Sequence, residues 1–207
     1  RLIAPTARWA AWCIHDVPCT RPTLCVLLIS IRSPKIPKQN LMKKEQNVHN
    51  LIILDESGSM ASIKTTTING FNEVVQTIKS AEKQYPDQRH TITFISFNSE
   101  GNKEHHFMAP AAELREIDAT GYQPTAMTPL LDAVGYGCNK LRAALDGKAR
   151  NNVLVTILTD GAENSSREYT GEAIKKLVEE LEKEGWTFTY IGTDHDVAAM
   201  ATKMSIK

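Results

Sequence analysis

The stretch His49-Asn50-Leu51-Ile52-Ile53-Leu54-Asp55, followed at once by Glu56-Ser57-Gly58-Ser59, decides the fold. An apolar run without polar alternation fits a strand buried on both faces, as in the middle of a parallel sheet. The run ends in an acid and then in a turn-forming cluster. A second run of the same kind, Asn152 to Thr159 (NVLVTILT), also ends in an acid, Asp160, followed by Gly161. Two interior strands thus each deliver a carboxylate at the carboxyl end.

The sequence around these strands alternates helix and strand. Phe71, Val74, Val75, Ile78 and Tyr85 recur at helical spacing, which predicts an amphipathic helix over roughly 63–84. Thr91 to Phe97 (TITFISF) is β-branched and aromatic, a second strand. Residues 104–109 predict a short edge strand after the Asn98–Asn102 turn. Residues 110–128 hold no strong period, and long connections of this kind are often functional. Pro129 then opens a helix, a position it favours, with Leu130, Leu131, Val134, Cys138, Leu141 and Leu145 on one face. A further helix over 170–184 turns Ile174, Leu177, Val178 and Leu181 inward, and Trp186 to Ile191 is a strand. Asp194 or Asp196 can cap a last helix that runs into Lys207 without a stop signal, which predicts another strand and helix beyond it. The order implies an α/β fold: doubly wound, with a mostly parallel central sheet, one short antiparallel edge strand and helices on both faces. Ligands of such sheets sit outside the carboxyl ends of the strands.

Charge and composition divide the chain near residue 41. The 207 residues carry 24 Lys and Arg against 24 Asp and Glu. Residues 1–40 hold six of the basic residues, one acid, five of nine prolines and three of four cysteines. The remainder keeps 18 basic and 23 acidic residues, a net of −5. Residues 1–41 form an irregular leader without period. Its apolar Leu24 to Ile31 segment lacks a following small-residue cleavage site, which argues against a secretory signal. Met42-Lys43-Lys44-Glu45 has the look of an ordinary bacterial start, so the leader is expected to be read-through or an overextended gene. The domain then spans 42–207, with a single cysteine, Cys138, suited to a reducing cytoplasm; export is the alternative if the leader is a genuine signal. No apolar run approaches the ~20 residues of a spanning helix, so no membrane partner is expected. Basic residues are scattered through the domain, which argues against nucleic acid.

Three clusters fall at the ligand edge of the expected sheet. They are Asp55-Glu56-Ser57-Gly58-Ser59, Thr125-Ala126-Met127-Thr128-Pro129-Leu130 and Thr159-Asp160-Gly161. They offer only oxygen, which suits hard cations. Two carboxylates about 4 Å apart repel by roughly 4 kcal/mol at an effective dielectric near 20, and a divalent cation removes that repulsion. Each cluster alone also reads as a turn or a helix cap; their conjunction at three strand or helix ends carries the signal. Glu56 and Glu163 flank the site as solvated rim acids. His105 and His106 are adjacent on a strand and so point to opposite faces, which disfavours a metal pair. Cys138 falls on the apolar face of its helix, a core position. No P-loop, dinucleotide fingerprint or zinc pattern is present in the sequence.

On these residues the sequence resembles the von Willebrand factor type A domains, whose metal-ion-dependent adhesion site combines a D-x-S-x-S string, a distant Thr and a later Asp. The matching positions are Asp55, Ser57, Ser59, Thr128 and Asp160, within LIILDESGSM, MTPLLDAV and ILTDG. The resemblance covers about residues 47–207. It implies that Ser57, Ser59 and Thr128 bind a metal through hydroxyls, and that Asp55 and Asp160 act partly through bound water. Thr128 is preferred to Thr125 because it alone precedes the Pro-Leu helix start. The implied cation is Mg²⁺ or Mn²⁺, with Ca²⁺ behind them. The implied function is not enzymatic: a protein-binding module whose cation takes a Glu or Asp carboxylate from a partner protein. The competing expectation is a Mg²⁺-dependent phosphohydrolase on a similar sheet. That chemistry wants Lys or Arg against the transferring charge, and neither adjoins Asp55-Glu56-Ser57-Gly58-Ser59. A third is a scaffold whose site binds nothing in vivo.

Overall fold

The computed structural model describes residues 46–145, 152–160 and 163–192, together with Thr202, Met204 and Ile206. The leader and Gly161 lie outside the described residues, as does the last helix expected from Asp194 apart from Thr202, Met204 and Ile206.

Five strands form one sheet. β1 (Gln46–Asp55) lies at its centre, and the spatial order is β3-β2-β1-β4-β5. β2 (Gln88–Asn98) runs parallel to β1 on one side, with Asp55 opposite Phe97. β4 (Asn152–Leu158) runs parallel to β1 on the other, with Leu54 opposite Leu158. β5 (Trp186–Ile191) pairs in parallel with β4, and β3 (Gly101–Pro110) pairs antiparallel with β2. The direction of strand addition therefore reverses at β1. Its carboxyl end, beside that of β4, is the switch point where the helices diverge and leave a crevice.

Alternation along β1 feeds two cores. Leu51 and Ile53 face a cluster shared with α2 (Leu130–Leu145) and α3 (Gly171–Lys183). Ile52 and Leu54 face a second cluster, where α1 (Lys64–Gln84) packs Phe71, Val75 and Ile78. Every residue from Val48 to Asp55 is buried, which is why the run carries no polar alternation. Helices therefore cover both faces, and the expected architecture holds.

Two differences concern the connections. The edge strand is ten residues long, Gly101–Pro110, not the short 104–109 expected. Its first residues, Gly-Asn-Lys-Glu, are exposed and polar, so they lack the alternation that marks a half-buried strand. They pair because a two-residue turn at Ser99–Glu100 sets Gly101 opposite Asn98. The 110–128 connection, which shows no strong period in the sequence, is anchored at several points. Leu114 and Tyr122 are buried in the α1-side core. The Asn72 side chain on α1 donates to the Ile117 carbonyl at 3.0 Å and accepts the Ile117 N–H at 2.9 Å. An amide side chain thus pairs with the loop backbone as a neighbouring strand would, and two anchor residues replace a hydrophobic period.

Candidate functional site

Asp55 closes β1 at the switch point and is fully buried. One carboxylate oxygen accepts the Ser57 N–H at 2.7 Å, and the other accepts the Thr159 hydroxyl at 2.7 Å. These bonds fix the plane of the carboxylate and use one lone pair on each oxygen. Burial pushes the acid up to about 6; Thr159 and Ser57 offset part of that, and the nearby Asp160 adds to it. The backbone carbonyl of Asp55 accepts the Tyr122 hydroxyl at 2.5 Å. The residue is thus held from β4 on one side and from the long connection on the other.

The loop after β1 presents two hydroxyls together. Ser57 Oγ and Ser59 Oγ stand 3.2 Å apart, Ser57 fully buried and Ser59 exposed. This loop is clamped to the loop before α2. Gly58 N–H donates to the Ala126 carbonyl at 2.9 Å, and Thr125 N–H to the Glu56 carbonyl at 2.8 Å. A β-carbon on Gly58 would lie 3.3 Å from the Ala126 oxygen, a tight contact that glycine avoids and that a larger residue would meet by moving the two loops apart by a few tenths of an ångström. Ala126 itself is left-handed, at φ 66°. Two residues on, Thr128 is buried at the entry to α2.

The segment after β4 supplies the third limb. Thr159, Asp160 and Asp55 interact here, with Asp160 half-buried. Beyond it, Asn164 grips Thr128: its side-chain oxygen accepts the Thr128 N–H at 2.8 Å, and its own N–H reaches the Thr128 carbonyl at 3.2 Å. Glu163 is not the solvated rim acid expected. It accepts the Leu131 N–H at 2.9 Å and the Ser166 hydroxyl at 2.7 Å, together with the Ser165 and Ser166 N–H groups. Asp132 returns the favour by accepting the N–H groups of Arg167, Glu168 and Tyr169. Helix α2 begins with unpaired N–H groups, and this segment satisfies that of Leu131 through Glu163 and that of Asp132 through the Ser166 hydroxyl.

All five expected site residues lie at this one end of the sheet. Direct contacts join Asp55, Ser57 and Ser59, Asp160 acts on Asp55 through its charge, and Thr128 is tied in through the Ala126 loop and Asn164. The donor set is mostly hydroxyl. Correspondingly, no group of three or more His, Cys, Asp or Glu side chains is placed to hold a metal among the described residues. His105 and His106 form no such pair: His105 stacks on Phe94 at 4.4 Å and meets the Ser96 hydroxyl at 2.8 Å. Cys138 is buried in the α2 core, and burial pushes its thiol up to about 12.

Two tyrosines escaped the sequence. Tyr122, an aromatic in an otherwise polar loop, was the visible signal for the first. Tyr190 lies near Thr159, Asp55 and Asp160; burial pushes its ionisation up, the Thr159 hydroxyl offsets part of that, and the two acids add to it. Its hydroxyl is buried, with the Thr159 hydroxyl as its polar neighbour. Nothing in Trp186 to Ile191 distinguishes that tyrosine from an ordinary strand residue. No helix among the described residues is long and apolar enough to cross a membrane.

Comparison with known proteins agrees with this architecture. No curated protein matches the sequence. Proximal thread matrix protein 1 from the mussel byssus is similar in structure, with a TM-score of 0.52 and 14% identity over 77% of this chain and 41% of that one. Another structure of the same mussel protein gives a TM-score of 0.45 and 15% identity, over 77% and 44% of the two chains. The chain therefore spans less than half the length of these solved relatives, and at such identity the likeness is one of fold. The family model for the von Willebrand factor type A domain matches residues 51–206. With the switch-point sheet and the site geometry described above, the chain belongs to the von Willebrand factor type A domain family.

Proposed function

We propose that this domain is a non-enzymatic protein-binding module of the adhesion-site type, in which a divalent cation held at the β1–β4 switch point receives an acidic side chain of a partner protein. One observation carries the reading. A carboxylate at the end of the central strand is fully buried beside a second acid and two serine hydroxyls that stand 3.2 Å apart. Buried anions need a positive partner, and among the described residues no Lys or Arg side chain pairs with Asp55.

The donors fit a hard cation such as Mg²⁺ or Mn²⁺. Ser57, Ser59 and Thr128 would hold it through hydroxyls. Asp55, with a lone pair on each oxygen already committed to Ser57 and Thr159, would act through water, with Asp160 beside it. When bound, the cation would supply Lewis acidity towards an incoming carboxylate, because neutral hydroxyls leave most of its charge uncompensated. Thr159 and the Ser57 N–H orient the acid, and the clamp through Gly58 and Ala126 holds the two hydroxyl-bearing loops together.

Thermal or denaturant unfolding tests the first half. Binding to the folded state alone should raise stability by about 2.7 kcal/mol with Mg²⁺ or Mn²⁺ at a hundred times its dissociation constant. Chelator should remove the gain, and Ser57→Ala and Asp160→Ala should each abolish most of it while folding normally. Identical unfolding curves with Mg²⁺, Mn²⁺ and chelator would remove the cation from the reading.

A further inference from the structure

β5 turns two aromatic residues, Phe188 and Tyr190, towards the α2–α3 core. Phe188 is buried and Tyr190 half-buried. This face therefore accepts an aromatic ring without a hydroxyl, and packing alone does not call for tyrosine at 190. Its hydroxyl oxygen is nevertheless fully withdrawn from solvent. Taking a polar atom out of water is costly unless a partner receives it, so the hydroxyl needs an account of its own.

Strand register sets what the hydroxyl meets. Tyr190 lies opposite Ile157 on β4, and the Thr159 N–H donates to the Ile191 carbonyl at 3.1 Å. Thr159 stands two residues beyond Ile157, about 6.6 Å further along the strand. A tyrosine side chain leaning along the strand spans that distance. The Thr159 hydroxyl is accordingly the hydrogen-bonding neighbour of the phenol, while Asp55, Asp160 and Glu163 act on it through their charge. Donor and acceptor roles then follow from the hydrogens present. The one hydroxyl hydrogen of Thr159 goes to Asp55 at 2.7 Å, so towards Tyr190 the Thr159 oxygen acts as acceptor. The negative charge of the three carboxylates keeps the phenol protonated, a donor with one hydrogen to give. The Glu163 carboxylate already accepts four hydrogen bonds, which leaves Thr159 the better acceptor of the two.

We propose that Tyr190 is a positioning residue of the cation site: its hydroxyl donates to Thr159 and so keeps the Thr159 hydrogen on the Asp55 carboxylate. This rests on the function proposed above and adds a residue outside the five oxygen donors. The relay runs from β5 through the end of β4 to β1, across the three strands that meet at the switch point. In such a chain each hydrogen bond polarises the next, so the bond from Tyr190 strengthens the one Thr159 makes to Asp55. Without it the Thr159 hydroxyl can rotate away, and Asp55 loses one of the two bonds that fix its plane.

Tyr190→Phe keeps the ring in the core and removes only the hydroxyl. Calorimetric titration of the full chain with Mg²⁺ should show this variant binding roughly three- to tenfold more weakly, the worth of one net hydrogen bond. Thr159→Val should weaken binding about tenfold or more, since it removes a bond to a charged group. Adding Tyr190→Phe to Thr159→Val should then cost nothing further. In a Thr159→Ser background, which restores the hydroxyl, Tyr190→Phe should regain its full effect. Denaturant unfolding in chelator repeats the cycle without a cation, and there too the effects of Tyr190→Phe and Thr159→Val should be non-additive. A ring that only packs on the core would give additive effects in both. Additivity in chelator overturns the relay. A loss of Mg²⁺ affinity from Tyr190→Phe that persists beside Thr159→Val overturns it as well, because the phenol would then act directly on Asp160. Coupling in chelator with Mg²⁺ affinity unchanged by Tyr190→Phe overturns the positioning role. A parent protein that binds neither Mg²⁺ nor Mn²⁺ overturns the cation reading and that role with it, while the chelator cycle still decides the hydrogen bond.

Discussion

Asp55 is stabilised by two hydrogen bonds and destabilised by its burial, and burial wins: the acid is raised from 3.8 to about 6. The sign of the pH effect follows. A carboxyl whose folded value exceeds its unfolded value supports the fold fully below about 3.8, and that support is lost as pH rises through about 6. The shift corresponds to a penalty on the order of 3 kcal/mol at neutral pH without a cation. Asp55→Asn keeps the shape without the charge. In chelator it should therefore gain on the parent protein between pH 4 and pH 7, by up to about 3 kcal/mol, and the gap should open across that window. In saturating Mg²⁺ the order should reverse, because the variant loses the cation. Denaturant titrations at pH 4.5 and 7.5 read both effects. A gap that does not change with pH would mean that Asp55 is not the strained acid of the metal-free fold. At this scale the string Asp55-x-Ser57-x-Ser59 is legible because backbone proximity alone forces those side chains together. Tyr190 was not, because its place near Asp55 depends on strand order.

Helix α2 and the segment 163–170 act as one element. Glu163 and Ser166 close the helix start, Asp132 closes the segment, and Asn139 donates to the Tyr169 hydroxyl at 3.0 Å. The Tyr169 ring lies against Gly135, where a β-carbon would come within 2.6–2.7 Å of three ring carbons. Gly135→Ala must therefore displace the ring and loosen the Asn139 bond. We expect a loss of about 1–3 kcal/mol, the usual range for overpacking, despite alanine's better helix propensity. The same substitution in a Tyr169→Ala background should be neutral or stabilising, so a double-mutant cycle reads the contact directly. Additive effects would show that the ring does not sit in that notch. Because Asn164 in this segment holds Thr128, Gly135→Ala should also weaken Mg²⁺ binding, measured by calorimetry. None of this coupling was legible in sequence, where Glu163 looked like a rim acid and no pattern tied Gly135 to Tyr169. The strands and helices were legible because burial on two faces or on one imposes periods of its own. The hairpin tip and the long connection were not, since turn geometry and single anchors such as Asn72 and Tyr122 leave no period.

For the molecule as a whole, the site and the core share the same strands. β1 carries Leu51 and Ile53 into the cluster around Cys138 and ends on Asp55. β4 carries Val155 and Ile157 into it and leads to Thr159. A ligand at the strand ends must then stabilise the sheet that Cys138 packs against. The thiol is a reporter of that coupling, because it is fully buried and held at about 12. It ionises at pH 8 only in opened molecules, where its value returns toward 9. Alkylation of Cys138 by iodoacetamide, followed by peptide mass so that the leader cysteines do not interfere, therefore measures opening of the core. Where opening and reclosing are fast relative to alkylation, the rate tracks the open population. Mg²⁺ at a hundred times its dissociation constant should then slow Cys138 labelling by about a hundredfold. Ser57→Ala should label at nearly the same rate with and without Mg²⁺. A rate in the parent protein that Mg²⁺ leaves unchanged, alongside a measurable shift in melting temperature, would show that α2 opens locally while the strand ends remain closed. Slowing in step with the gain in global stability would show that the cation, the switch point and the core unfold as a single unit.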